Sequence, residues 1–527
     1  MCFSERRARL GRRWRARGGQ GGAAACLAAA VALLTGARPA GAAPLDEPFV
    51  GGMAFTGPTA PNLGAIYWNP AALGLVRGFQ LMVAASARPA TVDVSRMPID
   101  PMTGRPGGPT ATMTFPTARA SDMNWPSPFG PHTFVALSTD FGGDRFTIGF
   151  ATYMPYTQRI AFPLSPTNDE PTRYHVLALD LRNLELAPAL AIRFGEFRIG
   201  FAPGFLFSTG RLAFAEDLAL DGGSAGLQST CPPGTQCNVE NPGAAARYDI
   251  SSGNGLGDAK FSVTLGAGLY YRKKSFELGI AYQSHPLGAD VPNVEVAGQH
   301  TTVTLPPRDT MGGGGPLACP NGQTDRCVFG DISYRLPDVW IAGATWHLGP
   351  GLELSAMVRW IWMHTHDRID VRVSGLTLDA DNHGIPQHIV LYRGFKDVWD
   401  ARARVSYWWR ERIRLGGMLR LETSAVDPNA VTPAAVDGFK IEPVVLIEFR
   451  LLKQIWLGGG YGITFMRAVD VTDSLFQPKQ QTDCVDSGNN LSTDACKAQL
   501  AGRARPTAAG HYSMSGQDFG MTVTFKF

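Results

Sequence analysis

Beyond residue 42 the chain has no run of about 18 apolar residues, the length that a membrane-spanning helix needs. It has no H-E-x-x-H pattern, which argues against a zinc protease of that type. Its glycine run at 312–315 neither follows a strand nor opens a helix, as a phosphate-binding loop would. We therefore expect a protein that is not an enzyme, with no cofactor and no metal.

An excess of positive charge is also lacking beyond residue 42. Residues 1–42 hold eight arginines and one glutamate, so their charge of +7, against +3 for the whole chain, leaves −4 for residues 43–527. A basic stretch at 6–17, an apolar stretch at 23–34 and the small residues Ala40-Gly41-Ala42 predict a secretory signal peptide over residues 1–42. The basic character belongs to that signal, so nothing indicates a nucleic-acid partner.

Isolated cysteines are missing from the exported part of the chain. Of the eight cysteines, two lie in the signal and six form three closely spaced pairs in polar stretches rich in Gly, Pro and Asn. This spacing favours disulfides over zinc sites, because the stretches lack histidine at ligand spacing. The predicted bridges are Cys231–Cys237, Cys319–Cys327 and Cys484–Cys496.

Period-two alternation is the dominant pattern that is present. In residues 260–271 every second residue from Phe261 to Tyr271 is apolar, and similar alternation occurs at 276–283, 413–422 and 455–465. A soluble β-sandwich would alternate too. These strands are about ten residues or longer, as tilted membrane strands must be, and their connections alternate between very short and very long.

The alternation predicts an all-β protein, a 14-stranded antiparallel transmembrane β-barrel over residues 77–527. The predicted strands lie near 77–88, 133–141, 145–153, 173–193, 197–208, 256–272, 275–284, 337–348, 351–365, 395–410, 412–424, 438–452, 454–468 and 510–527. Short periplasmic turns and long extracellular loops are typical of an outer-membrane barrel, which predicts that location. All three cysteine pairs then fall in the outer loops.

Fourteen strands enclose a lumen that is too wide for the barrel's own side chains to fill. Residues 43–76 precede the first strand and carry no strand pattern. They contain Tyr67-Trp68-Asn69-Pro70-Ala71, a tight turn in which Pro70 fixes its own φ and favours an extended Asn69. We interpret residues 43–76 as a plug inside the lumen, here called the hatch.

In the order of its features the chain resembles the FadL-type family of outer-membrane transporters for long-chain fatty acids and other hydrophobic compounds. Asn69-Pro70-Ala71 matches the Asn-Pro-Ala element of the family's hatch, and the last predicted strand ends on an aromatic residue, Phe527. Further similar stretches are Tyr282-Gln283-Ser284, Leu336-Pro337-Asp338, Phe395-Lys396-Asp397 and residues 416–426.

The resemblance implies passive uptake of long-chain fatty acids, or of similar lipids and hydrocarbons. The ligand would bind in the lumen, the hatch would change at Tyr67, Trp68, Asn69, Pro70 and Ala71, and the ligand would leave sideways into the membrane. The exit would lie beside a kinked third strand, with Gly149 and Pro155 as candidate kink residues. The expected partners are the hydrophobic ligand and outer-membrane lipid, and we expect a monomer. The alternatives are a water-filled diffusion porin and a surface adhesin.

The alternation also places charged residues on the inward faces. Any one of Arg359, Arg402, Arg404, Arg414 and Arg420 could bind a ligand carboxylate bidentately, or pair instead with lumen acids or with the hatch. Trp360, Trp362, Trp408 and Trp409 lie near strand ends and are mostly interpreted as a lipid-facing aromatic belt. His364 and His366 would share one face of a strand, but without a third ligand they predict no metal site.

Overall fold

The computed structural model describes residues 49–88, 90–97, 118–120, 132–162, 170–217, 245–252, 260–287, 294–298, 300–305, 315–316, 329–374, 388–476 and 508–527. The predicted signal peptide and the pairs Cys231–Cys237, Cys319–Cys327 and Cys484–Cys496 lie outside these residues. None of the described helices is long and apolar enough to cross a membrane.

Fourteen antiparallel strands close into one ring, which confirms the predicted barrel. Each strand pairs with the next along the chain, and β14 pairs with β1, so the ring has no free edge. The strands are β1 (Gln80–Ala87), β2 (His132–Thr139), β3 (Phe146–Tyr153), β4 (Ala178–Phe194), β5 (Phe197–Asp217), β6 (Lys260–Lys273), β7 (Phe276–Gln283), β8 (Val339–His347), β9 (Leu352–Ile361), β10 (Val398–Trp409), β11 (Ile413–Glu422), β12 (Lys440–Arg450), β13 (Ile455–Met466) and β14 (Gly510–Lys526).

The outward face of the ring carries apolar and aromatic side chains, as a lipid-facing surface requires. Trp340, Trp360 and Trp399 lie opposite one another on three neighbouring strands, and the rings of Trp360 and Trp399 stack at 5.4 Å between centroids. This row is typical of an aromatic belt at a membrane interface. Trp408, in contrast, faces inward, and its Nε1 donates to Glu353 Oε1 at 3.3 Å.

The connections alternate in length, as predicted, but the long ones contain strands of their own. We predicted only loops there because these strands are shorter than a membrane strand. They pair with the extended ends of β4, β5 and β14 or with one another, and four of them form a separate sheet. They are Ala90–Arg96, Ala118–Ala120, Thr157–Ala161, Ala245–Ser251, Val294–Gly298, His300–Leu305, Gly315–Pro316, Phe329–Tyr334, Arg368–Ser374, His388–Tyr392 and Val469–Val471.

Four short helices complete the described elements. The α-helix α1 (Ala65–Trp68) and a 3-10 helix (Pro70–Leu75) precede β1, and two further 3-10 helices span Met363–Thr365 and Pro428–Ala430. The helix at Met363–Thr365 corrects the prediction of a strand through 365, because β9 already ends at Ile361. His364 and His366 therefore do not share a strand face.

The N-terminal segment, residues 49–76, lies inside the ring and is almost entirely buried. Inward glycines make room for it. A Cβ added at Gly200 would collide with the backbone at Ala71, and one added at Gly268 would collide with the side chain of Asn69. This close approach of backbone to backbone explains why the strand faces beside the segment are rich in glycine. Other inward glycines against it are Gly149, Gly279, Gly343, Gly416, Gly458 and Gly520.

Candidate functional site

Asn69 fastens the N-terminal segment to the barrel wall. It is fully buried between the two short helices, with an extended φ of −170° ahead of the proline. Its Oδ1 accepts from the backbone N of Ala71 at 3.1 Å. Its Nδ2 donates to the carbonyl of Pro58 at 2.9 Å and to that of Leu269, on β6, at 3.0 Å. One side chain thus links two turns of the segment to a strand of the wall.

The aromatic residues before Asn69 are also held in place. The indole N–H of Trp68 donates to the carbonyl of Val50 at 2.7 Å. The carbonyl of Tyr67 accepts from Gln283 Nε2 at 2.5 Å, and its ring meets that of Tyr153 edge-on at 5.4 Å. Pro70 and Ala71 lie against the inward face of β5. The five predicted gating residues therefore form one cluster, while their gating role stays a prediction.

The third strand of the ring is interrupted where the sequence places Pro155. β3 ends at Tyr153, and Thr157–Ala161 continues along β4 after three residues. Proline cannot donate to a strand ladder, which accounts for the break. Among the described residues, Thr157–Ala161 pairs with β4 alone, whereas β3 pairs on both sides. Within the described ranges the wall therefore shows one pairing fewer beyond the break than before it.

Gly149 lies within the paired part of β3 and not at this break, and its role in a kink stays a prediction. It opposes Ser138 on β2 and Ala189 on β4 in regular pairing. A Cβ at this position would press on the side chains of Ile66 and Leu73. The N-terminal segment therefore favours glycine at this position.

The side chain of Asn183 forms a hydrogen bond with the backbone at the break. Its Nδ2 donates to the carbonyl of Tyr156 at 2.5 Å, and its Oδ1 accepts from the Ser208 hydroxyl at 2.6 Å and from the Tyr334 hydroxyl at 3.2 Å. Tyr156 itself turns inward, and its hydroxyl donates to the carbonyl of Pro337 at 3.4 Å. The break is thus a built feature with its own polar support.

Three of the five candidate arginines surround one buried carboxylate, that of Asp400. The ion-pair distances are 3.2 Å for Arg359, 2.6 Å for Arg402 and 3.1 Å for Arg420. The network extends over neighbouring strands and contains five basic and five acidic residues, so it is electrically balanced. The basic members are Arg88, Arg359, Arg402, Arg420 and Lys440, and the acidic ones are Asp400, Glu422, Asp437, Glu442 and Asp518.

The remaining two candidates, Arg404 and Arg414, bind the N-terminal segment. Arg404 Nη1 donates to the carbonyl of Thr56 at 2.9 Å. The guanidinium of Arg414 lies 4.0 Å from the ring centroid of Phe55, a cation–π contact, and also pairs with Glu353. In this structure the arginines follow the alternative of pairing with lumen acids and with the segment. Binding of a ligand carboxylate by any of them stays a prediction.

Two of the family-like stretches meet at Asp338, a contact that was not predicted from the sequence. Its Oδ1 accepts from the Tyr282 hydroxyl at 2.7 Å and from the backbone N of His285 at 2.9 Å. The end of β7 and the start of β8 are neighbours because consecutive strands of an antiparallel barrel pair. That rule could have predicted this contact. Glu185 on β4 was also not predicted as a site residue, because the sequence around it shows only the alternation of an ordinary strand.

The two histidines near the end of β9 have separate partners. His364 Nδ1 contacts Asp397 Oδ1 at 2.5 Å, whereas the buried His366 donates from Nδ1 to the carbonyl of Arg335 at 2.6 Å. Burial, together with the nearby charge of Arg393, lowers the pKa of His366 from 6.5 to about 3. Within the described ranges no three His, Cys, Asp or Glu residues are grouped so that they could hold a metal ion.

Solved structures with the same fold include a FadL homologue and two toluene transporters. A FadL homologue from Pseudomonas aeruginosa superposes with a TM-score of 0.66 at 14% identity, covering 92% of this chain and 100% of that one. The toluene transporter TodX from P. putida gives 0.56 at 12% identity, covering 88% and 94%. The toluene transporter TbuX from Ralstonia pickettii gives 0.52 at 12% identity, covering 90% and 98%. At such low identity these matches show the fold alone.

Family membership rests on sequence. No curated protein sequence matches the chain at a significant level. A family model described as "Outer membrane protein transport protein (OMPP1/FadL/TodX)" matches residues 31–436, which is well over half of the chain. Together with the closed ring of 14 strands, this match shows that the chain belongs to the OMPP1/FadL/TodX family of outer membrane transport proteins.

Proposed function

We propose that the protein carries apolar molecules passively through the outer membrane by binding in the lumen, movement of the hatch and sideways exit at the break after β3. The observation that carries this proposal is the position of the break. Pro155 and Tyr156, from the break, line one small cavity together with Ile66 and Tyr67, from the N-terminal segment. A movement of the segment would therefore change the contacts of the residues at the break.

The energetics support a gated, lateral route. Each buried methylene contributes about 0.8 kcal/mol, so a chain of about sixteen carbons gains on the order of 10 kcal/mol in an apolar pocket, as an upper bound. Such a ligand is captured readily and leaves slowly. Release into the membrane at the break avoids returning it to water, and the hatch supplies the gate.

Long-chain fatty acids and aromatic hydrocarbons are the two ligand classes proposed. TodX and TbuX are toluene transporters, and the FadL-type resemblance points to fatty acids. In this chain the arginine network of the lumen is electrically balanced, so it does not require a ligand anion.

The test is uptake of radiolabelled palmitate and of toluene by cells that lack their own transporter. We expect the wild type to raise uptake of at least one, and the double variant Asn69→Ala/Pro70→Ala to lower it while the barrel stays folded. If the wild type passes small sugars freely but neither probe, the protein is a diffusion porin. If it passes none of these, the outer loops would hold the function, as in an adhesin.

A further inference from the structure

A small cavity beside the strand break is a feature that apolar transport does not explain. Its volume is about 20 Å³, enough for one water-sized group. It is partly polar, although it lies between the N-terminal segment and the wall at the level of the break. Its apolar lining includes Ile66, Tyr67 and Pro155, and its polar lining includes Glu185, Thr264 and Gln283.

The wall is shaped around the carboxyl group of Glu185. This side chain, 7% exposed, projects inward from β4 and crosses β5 to reach β6, where its Oε1 accepts from the Thr264 hydroxyl at 2.6 Å. It crosses at Gly204, where an added Cβ would collide with both Glu185 and Thr264. The carboxyl therefore occupies space that only glycine leaves open.

Glu185 differs from the other buried acids of the lumen. Asp400 and Glu442 are paired with arginines. In the described part of the chain no basic side chain forms an ion pair with Glu185, whose neighbours are the hydroxyls of Thr264 and Tyr153. A carboxyl group can accept about four hydrogen bonds, so it retains capacity towards the cavity.

Gln283 adds a second acceptor. Its Nε2 donates to the carbonyl of Tyr67, but its Oε1 is buried and has no hydrogen-bond partner among the described residues. A buried acceptor without a donor is destabilising, so a donor group is favoured beside it. The cavity thus presents two acceptors, which are the complement of a hydroxyl or amino group.

We propose that this cavity is a subsite for the hydroxyl or amino group of an otherwise apolar ligand, with Glu185 selecting against carboxylates. This inference rests on the proposed function. An O–H or N–H group donates to Glu185 or Gln283, whereas a ligand carboxylate has no proton to donate to either acceptor. The apolar body of the ligand would take the space of Ile66 and Tyr67, so binding is linked to movement of the segment.

Three probes with one ring system test the subsite: naphthalene, 1-naphthol and 1-naphthoate. Uptake is measured in cells lacking other transporters, as the ratio of each substituted probe to naphthalene. The variants are Glu185→Leu and Glu185→Gln, and the matched control is Glu196→Gln, in the exposed turn between β4 and β5. Wild type and control should prefer naphthol and take up naphthoate least.

We expect Glu185→Leu to lower the naphthol-to-naphthalene ratio by about three- to tenfold, the value of one hydrogen bond. Glu185→Gln keeps an acceptor and adds an amide N–H that a carboxylate can accept from, so it should retain the naphthol preference and raise naphthoate uptake. Folding is checked by heat-modified gel migration. If Glu185→Leu does not fold, the rise in naphthoate uptake by Glu185→Gln decides.

Two outcomes would overturn the inference, and they are distinguishable. Naphthalene uptake by the wild type without a naphthol preference, or with ratios that Glu185 variants do not change, removes the subsite and leaves apolar transport intact. Absence of uptake of all three probes by the folded wild type removes the proposed function, and the subsite with it.

Discussion

Single asparagines supply the hydrogen bonds that the strands of this barrel cannot make. Asn69 donates to the carbonyls of Pro58 and Leu269, and Asn183 donates to that of Tyr156 at the break. A carbonyl without a partner in the membrane costs several kcal/mol, because no water replaces the donor. At both positions the amide N–H is the required group.

Asn69→Asp should therefore release the N-terminal segment although the side chain keeps its shape. The carboxylate can still accept from the N–H of Ala71, but it would face the carbonyls of Pro58 and Leu269 without a donor. We expect the segment to lose about 2–4 kcal/mol of local stability. Faster proteolysis of the segment in folded barrels would show it. The control is the exposed Asn429→Asp, and equal cleavage of the two variants would contradict the prediction.

Burial of His366 should make the stability of the neighbouring strands outside the ring depend on acid pH. Its pKa is lowered from 6.5 to about 3 by burial. Below about pH 6.5 His366 binds a proton in the unfolded chain but stays neutral in the folded chain. The free energy of unfolding is therefore full above pH 6.5 and decreases as the pH falls to about 3, by up to about 1.4 kcal/mol per pH unit. Hydrogen exchange of Arg368–Ser374, corrected for intrinsic rates, measures this. His366→Gln should flatten the profile, and an unchanged profile would refute the assignment.

At the scale of elements, glycine decides which strand faces can hold the N-terminal segment. Gly200 on β5, Gly268 on β6 and Gly279 on β7 all lie where a Cβ would strike the backbone or the side chain of the segment. Glycine weakens a strand in isolation, by roughly 0.5–1 kcal/mol relative to alanine. The segment, by contrast, requires the missing side chains.

Gly268→Ala should displace the segment, whereas an outward glycine should tolerate the same change. The new methyl group would collide with Asn69, while a Cβ at Gly417 on β11 would meet nothing within 4 Å. We expect Gly268→Ala to raise single-channel conductance in planar bilayers, because the lumen is less filled, and Gly417→Ala to behave as the wild type. Indistinguishable conductance of the two variants would show that the segment adapts to the methyl group.

At the scale of the whole molecule, the ionic network joins parts of the wall that are distant in sequence. Arg88 pairs with Glu442 and Asp518, and Arg420 connects Asp400 with Glu422 and Glu442. Its five basic and five acidic groups balance in formal charge, and each lies within ion-pair distance of a group of opposite sign in the network. Removal of one member leaves an uncompensated buried charge.

Arg420→Met should destabilise the barrel by about 3–5 kcal/mol, the usual cost of breaking a buried pair by deleting one partner. Arg211 is the matched control: its side chain and that of its partner Asp249 are 47% and 43% exposed. Arg211→Met should cost no more than about 1 kcal/mol. Urea unfolding of the barrel in lipid vesicles compares them, and equal midpoints would mean that the network adds nothing to stability.

Much of the architecture could be predicted because it depends on the local sequence of each strand. Most ring strands lie within a few residues of their predicted bounds, since alternation and length are properties of a single stretch, whereas β5 extends to Asp217, beyond its predicted end at 208. Predictions were wrong where the structure depends on contacts between distant residues. β9 ends at Ile361 because the chain turns into a 3-10 helix. The long connections contain strands that pair with one another or with the ring strands.

The sequence by itself determined the closed ring of 14 strands, its inward and outward faces and the N-terminal segment without a strand. Only the tertiary structure decided which groups meet. Asn69 bonds a carbonyl 200 residues away, and Glu185 reaches Thr264 over Gly204. Such contacts leave no periodic pattern, because they depend on the registers of several strands at once. The barrel could therefore be predicted from the sequence, whereas the contacts inside its lumen could be identified only in the folded structure.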